Sequence, residues 1–359
     1  MKVAVQTSTR GFALIIVMLV IVVFSGLAAV FAMSMKVEMQ LARNVDSESE
    51  MEWLGRSGVE LARYVLAQQL NCPNEPYDAL NQKWAGGPGG NCSTNGPLAD
   101  ISLDQVQLGR GKFSVKITDL ERKMNINFAN REIIQQALDS MGVEIFAAST
   151  ILDSIEDWRD PDTSPHVNGA ESDYYLNLAQ PYIAKDGPFD DVSELLLVRG
   201  VTPDIYWGPG RTNRAVQPIQ SISPSVAGIP DQANSSGLVD LFNTLGRLQI
   251  NINTASATVL QLVLGIDRTM AERIVKERAG LDGVDGTEDD TPYLNPPEMG
   301  RLVGLPATTA SQLTRYCSVR SFTFEVAVDV EIDKYKRRLV ALVFRNSSRD
   351  VQLLNMHWE

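Results

Sequence analysis

The sequence predicts an α+β protein, with a long N-terminal helix packed on an antiparallel β-sheet and a large all-α domain inserted in the sheet domain. Three observations carry that prediction. An unbroken apolar run near the start grows into an amphipathic helix; alternating strand patterns occur around Lys116 and again after Arg320; the long stretch between them is patterned as helix.

The first helix is the simplest to justify. Every residue from Phe12 to Met35 is apolar or small. At 1.5 Å rise per residue the run spans about 36 Å, enough to cross a bilayer core. Lys2 and Arg10 precede it, which keeps the N-terminus cytoplasmic and the bulk of the chain outside. A secretory signal has a shorter apolar region and a small-x-small cleavage site. Here the run continues without proline into "KVEMQLARNVDSESEMEWLGRSGVELARYVLAQQL", whose first glycine is Gly55. Val37, Leu41, Val45, Met51, Leu54, Leu61, Val65 and Leu66 recur there at near-helical spacing. One helix is expected over 12–70, lipid-soluble in its first part and amphipathic in its second.

A turn-rich loop over 71–100 follows. Cys72 and Cys92 bracket "CPNEPYDALNQKWAGGPGGNC". In an oxidising compartment they are a candidate loop-closing disulfide, and otherwise two free thiols. The third cysteine is Cys317, and the two histidines, His166 and His357, leave little material for a zinc site or a Ser-His-Asp triad.

The sheet domain is assigned to 101–122 and 313–359. Phe113, Val115 and Ile117 alternate with polar residues, as do Phe322, Phe324, Val326, Val328 and Val330, and two further strand patterns follow across "DKY" and "SSRD". The strands on either side of the helical region need one another to make a sheet, so 123–312 is an insertion. A Pro/Ser/Gly-rich linker over 216–237 divides it into halves at 123–215 and 238–312. Helices are expected on "ANREIIQQALDSMG", "STILDSIEDWRD", "DDVSELLLVRG", "ASATVLQLVLG", "DRTMAERIVKERA" and "PPEMGRLVGLP". The halves share an echo: Asn125-Ile126-Asn127 and Asn251-Ile252-Asn253 each precede a helix. Asparagines bonding a turn, with Thr254 or Ser256 capping the second helix, are a sufficient structural reason.

Two acidic loops are candidate calcium sites, because calcium takes six to eight oxygen ligands. The first holds Asp157, Asp160, Asp162, Glu171 and Asp173, and the second Asp282, Asp285, Glu288, Asp289 and Asp290. The second is not an EF-hand by spacing, and either could equally be a solvated acidic turn. The segment from Ile250 to Arg278 resembles helix-hairpin-helix DNA-binding units. Gly265 fits the first hairpin glycine, but Asp267 stands where the second belongs, and its carboxylate would repel phosphate. With a net charge of −12, a structural use of the hairpin is expected and nucleic acid is not an expected partner.

A short basic leader ending in Gly11, then Phe12, then a long apolar segment growing into an amphipathic helix resembles type IV pilins and pseudopilins. That resemblance implies cleavage by a prepilin peptidase between Gly11 and Phe12, removal of residues 1–11 and N-methylation of Phe12. Most pilins carry a glutamate at the fifth mature residue, where this sequence has Ile16. An unpaired carboxylate in a membrane is costly. Its loss suits a subunit with no neighbour above it, at a filament tip.

The stretch Ser154–Thr202 sharpens the resemblance. Asp157-Trp158-Arg159-Asp160, Gly169-Ala170-Glu171, Tyr174-Tyr175, Pro181-Tyr182 and the run from Val192 to Gly200 are similar, in order, to the minor pseudopilin protein K (GspK) family of type II secretion. The resemblance implies a pilin-like fold carrying the inserted domain and a non-enzymatic role in protein transport. It implies a place at the tip of a pseudopilus with minor pseudopilins I and J above the major pseudopilin, and calcium in the inserted domain of some members. It also implies a single-pass inner-membrane protein with its bulk in the periplasm. The alternative is a membrane-anchored DNA receptor using the hairpin. A hydrolase has little support, since there is no nucleophile elbow, zinc motif or phosphate loop.

Overall fold

The computed structural model describes residues 10–90, 96–209 and 236–359. Cys92 and almost all of the predicted linker at 216–237 lie outside the described residues.

Helix α1 runs unbroken over Arg10–Gln69. Its first half stands clear of the rest of the protein: Val37, Leu41 and Val45, which fit the amphipathic pattern, are exposed together with the side chains from Leu14 onward. Burial begins at Met51. Met51, Leu54, Val59, Ala62, Val65 and Leu66 form one stripe against the sheet, the three-to-four spacing of a helix face.

The sheet has five strands in the order β1-β2-β7-β8-β9: β1 (Val106–Leu108), β2 (Gly111–Asp119), β7 (Thr323–Ile332), β8 (Tyr335–Ser347) and β9 (Asp350–Trp358). All neighbouring pairs are antiparallel. Alternation buries Phe113, Val115 and Ile117 of β2 and Phe324, Val326, Val328 and Val330 of β7 beneath α1. The short edge strand β1 was not legible in the sequence. Because Asp119 pairs with Phe324 across β2 and β7, the insertion leaves and re-enters the sheet at one end of two adjacent strands.

The insertion contains β3 (Met124–Asn125), α2 (Arg131–Ser140), α3 (Ile145–Arg159), α4 (Ser172–Tyr175), a 3₁₀ helix at Val192–Leu197 and α5 (Pro203–Trp207). After the undescribed segment come α6 (Leu238–Leu241), β4 (Phe242–Asn243), β5 (Ile250–Asn251), α7 (Ala257–Leu264), α8 (Arg268–Arg278), α9 (Pro296–Val303), α10 (Ala310–Tyr316) and β6 (Cys317–Ser318). Where an α-helix was expected on "DDVSELLLVRG", the chain makes the 3₁₀ helix, closed by a capping box between Asp191 and Glu194. The expected boundary at 312/313 falls inside helix α10, whose last turn packs into the helical core through Leu313 and Tyr316. The insertion also carries two short parallel ladders, β3 with β4 and β5 with β6.

A buried polar knot joins the two cores. Arg345, 1% exposed, donates to Asp78, to the Ser321 carbonyl at 2.7 Å and to the Leu66 carbonyl at 3.2 Å. Asp119 accepts from Ser321 Oγ at 2.6 Å and Thr254 Oγ1 at 2.5 Å. Asn251 reaches Ser321 Oγ at 2.8 Å and the Asp78 carbonyl at 3.0 Å. Burial pushes the Asp119 carboxyl up to about 6 and that of neighbouring Glu121 up to about 8. Cys72 is disulfide-bonded, while Cys317 is a free, buried thiol whose burial pushes it up to about 12.

Two glycines let α1 lie close to the sheet. A Cβ on Gly58 would sit 2.4 Å from Val328 Cγ1, and one on Gly55 would sit 2.8 Å from Leu339 Cδ2. At an open helix position Gly→Ala stabilises by about 1 kcal/mol. Here the overlap reverses the sign, and Gly58→Ala is expected to destabilise by about 1–3 kcal/mol in urea titration.

Candidate metal centre

Helix α3 begins the site. The Glu144 side chain caps its N-terminus by accepting from Phe146 and Ala147, and its last turn delivers Asp157 and, just beyond, Asp160. Asp157 is fully buried. Its Oδ1 accepts from the His166 backbone N–H at 3.0 Å and lies 2.5 Å from His166 Nδ1. Its Oδ2 has no hydrogen-bond partner. The loop after α3 wraps back over this carboxylate: Asn168 is tied to Asp153 at 3.0 Å, and the Gly169 carbonyl accepts from Arg199 at 2.9 Å. Behind the loop, Trp158 meets Tyr175 edge-on at 5.5 Å, and Tyr175 stacks on Tyr182 at 5.1 Å.

This wrapping gathers carboxylate oxygens that have no partner among the described residues. Asp157 Oδ2, Asp160 Oδ1, both oxygens of Glu171 and Asp186 Oδ1 are all buried without partners. Asp160, Asp162 and Glu171 offer ligand atoms within 4.8 Å of one another, as do Asp157, Asp160 and His166. Desolvation, reinforced by Asp157, Asp186, Asp160 and Asp162, pushes Glu171 up to about 7. Desolvation and the neighbouring Asp162 push Asp160 up. The hydrogen bond to Asp157 pushes His166 up. Buried orphan carboxylates are costly by themselves, so the arrangement fits a hard divalent cation with oxygen ligands. Gly169 belongs to the same fit, since a Cβ there would lie 1.9 Å from Asp157 Oδ2. Asp157, Asp160, Asp162 and Glu171 would hold such an ion, with the unpartnered carboxylate of Asp186 adding its charge nearby, and the ion would neutralise that charge and fix the loop.

Of the first predicted set, Asp157, Asp160, Asp162 and Glu171 come together. Asp173 is exposed on α4, with its backbone carbonyl bonded to Asn177. Asp186 was missed because it lies well outside the acidic cluster in sequence. Its one local sign is the Asp-Gly pair at 186–187, and Asp186 does adopt φ 50°. The second acidic loop is arranged differently. Asp282 accepts from Val284, Asp289 from Leu281 and Asp282, and Asp290 from Gly286, while Asp285 is paired with Arg278 and Glu288 is exposed. Among the described residues these five carboxylates form no converging ligand group.

The hairpin between α7 and α8 has Gly265 at φ 62° and Asp267 accepting from the Met270 N–H at 2.9 Å. A phosphate-binding hairpin leaves such amides free for the ligand. Here a carboxylate occupies the helix N-terminus, as Glu144 does at the hairpin between α2 and α3.

A long helix with an exposed apolar half is laid on an antiparallel meander, and a helical domain is inserted between two adjacent strands of that sheet. The family model for the first domain of type II secretion system (T2SS) protein K matches residues 114–207, and that for the helix-hairpin-helix motif matches 247–289. The chain is 25% identical to type II secretion system protein K of Pseudomonas aeruginosa over 96% of its own length and 91% of that protein's. It is also 25% identical to the Klebsiella pneumoniae protein of the same name over 73% of its length and 72% of the relative's. Among solved structures, one chain of the GspK-GspI-GspJ complex from enterotoxigenic Escherichia coli shares the fold, with a TM-score of 0.63 and 19% identity over 89% of this chain and 99% of that one. The resemblance read from the sequence and these comparisons point to the same proteins, T2SS protein K.

A cation at this cage would have opposite pH signatures with and without the ion. Without it, the raised Glu171 stabilises the fold only when protonated, so stability rises as pH falls from above about 7 towards the ordinary 4.5. With calcium, the carboxylates must be charged. Calcium at about a hundred times its Kd adds about 2.7 kcal/mol at pH 8, and the calcium-minus-EGTA shift in Tm shrinks as pH falls through 7. Gly169→Ala is expected to remove that shift.

Proposed function

We propose that this chain is the minor pseudopilin at the tip of a type II secretion pseudopilus, anchored in the inner membrane with its bulk in the periplasm. There it initiates or caps assembly for export of folded proteins. The observation that carries this reading is the likeness to protein K along nearly the whole chain, insertion included. One candidate membrane span lies at the N-terminus, none of it buried within the protein, and Ile16 suits a subunit with no neighbour above. In this reading the peptidase cuts between Gly11 and Phe12, Phe12 is N-methylated, and α1 joins the major pseudopilin below. Minor pseudopilins I and J are the proposed partners, as in the solved complex of the neighbour. Calcium at the cage is proposed as a structural ion, and Cys92 is the proposed mate of Cys72. The role is mechanical, with no catalytic step.

The DNA-receptor alternative is not favoured, because Glu144 and Asp267 occupy both hairpin helix ends and the protein is acidic. Co-expression with pseudopilins I and J is expected to yield a stable ternary complex. Pairing of I with J while this chain stays apart would refute the tip role. Mass spectrometry of the membrane form is expected to begin at N-methylated Phe12, and Ile16→Glu should leave that processing intact.

A further inference from the structure

The two halves of the insertion share far more than the Asn-Ile-Asn echo. Asn125 Oδ1 accepts from the Asn127 N–H at 2.9 Å, and Asn251 Oδ1 from the Asn253 N–H at 2.9 Å. Asn127 exchanges two hydrogen bonds with the Phe189 backbone, at 2.9 and 2.8 Å; Asn253 does the same with Tyr293, at 3.0 and 2.9 Å. Arg159 at the end of α3 donates to the Ile126 and Ala129 carbonyls, and Arg278 at the end of α8 donates to those of Ile252 and Ala255. Gly142 and Gly265 turn the hairpins at φ 72° and 62°. Each unit is closed by a parallel ladder whose second strand lies past the expected boundary of its half: Asn125 beside Asn243, from beyond the linker, and Asn251 beside Ser318, from beyond residue 312. A helix-entry turn used twice explains the asparagines alone. It does not explain the matching arginine, aromatic backbone partner and closing strand.

The halves differ in the loop that joins the arginine to the aromatic residue. In the first half this is 160–188, which carries the orphan carboxylates, and among the described residues Arg159 forms no ion pair. In the second it is 279–292, and Arg278, 4% exposed, turns its free edge onto Asp285 through Nε at 3.0 Å and Nη2 at 2.8 Å. A bidentate guanidinium–carboxylate pair is a strong, directional closure. The insertion thus repeats one unit, and we infer that Arg278 with Asp285 locks the second copy's loop where the first copy's loop requires a divalent cation.

This inference rests on the cation reading of the cage. It assigns the second acidic loop an internal cation and no metal. Hydrogen exchange on the full chain in detergent tests it, comparing saturating calcium with excess EGTA. Chelation should speed exchange about tenfold or more across 160–188 and leave 279–292 unchanged. Asp285→Asn should speed 279–292 by a similar factor in both conditions. Acceleration of both loops by EGTA would overturn the internal-cation assignment, as would an Asp285→Asn variant whose loop is unaltered. No response of either loop to EGTA would overturn the cation half together with the cage. The tip role is read separately by assembly with I and J, so the two failures are distinguishable.

Discussion

The structure depends on the buried contact between Arg345 and Asp78 and the hydrogen bonds that converge on it. Asp78 comes from the loop after α1, Arg345 from β8, Ser321 from the return into β7, and Asn251 and Thr254 from the insertion. Four separate parts of the chain meet there, and the two that bring a charge, Asp78 and Arg345, bury it against each other and against polar groups of the other two. Removing one member of such a buried pair typically costs about 3–5 kcal/mol, because the other is left uncompensated. The knot also explains how a large insertion between adjacent strands can be held against the sheet. Asp119, where the chain leaves β2, accepts from residues of the insertion's second copy and of its exit.

Much of this was legible in the sequence because it rests on local periodicity. The helix through the apolar run, the amphipathic face from Met51 onward and the strand alternation around Val115 and Val328 each read correctly on their own, whereas Val37, Leu41 and Val45 fit the same pattern and are exposed. Other features depend on long-range contacts that leave no local trace. Strand β1 is three residues long and gains its hydrogen bonds only from β2. Helix α10 sits next to the sheet in sequence but packs into the helical core. Asp186 adds its charge beside Glu171 only once the chain has folded back towards Asp157. The Asn-Ile-Asn echo was visible, but Arg159, Arg278, Phe189 and Tyr293 complete each copy from positions too far along the chain to be aligned by eye.

Electrostatics gives the two helical copies their character. Each hairpin places a carboxylate on its own helix end, which satisfies amides that a nucleic-acid-binding hairpin would offer to phosphate. The unit is thereby converted into a closed, acidic building block. In the second loop Arg278 compensates the Asp285 carboxylate, while the first loop holds buried carboxylate oxygens without partners among the described residues.

If the knot makes sheet and insertion one cooperative body, calorimetry shows it most directly. Scanning calorimetry of the full chain in detergent with calcium is predicted to give a single transition for both, and Asp78→Ala is predicted to divide it in two. Two well-separated transitions in the unaltered protein would contradict the account.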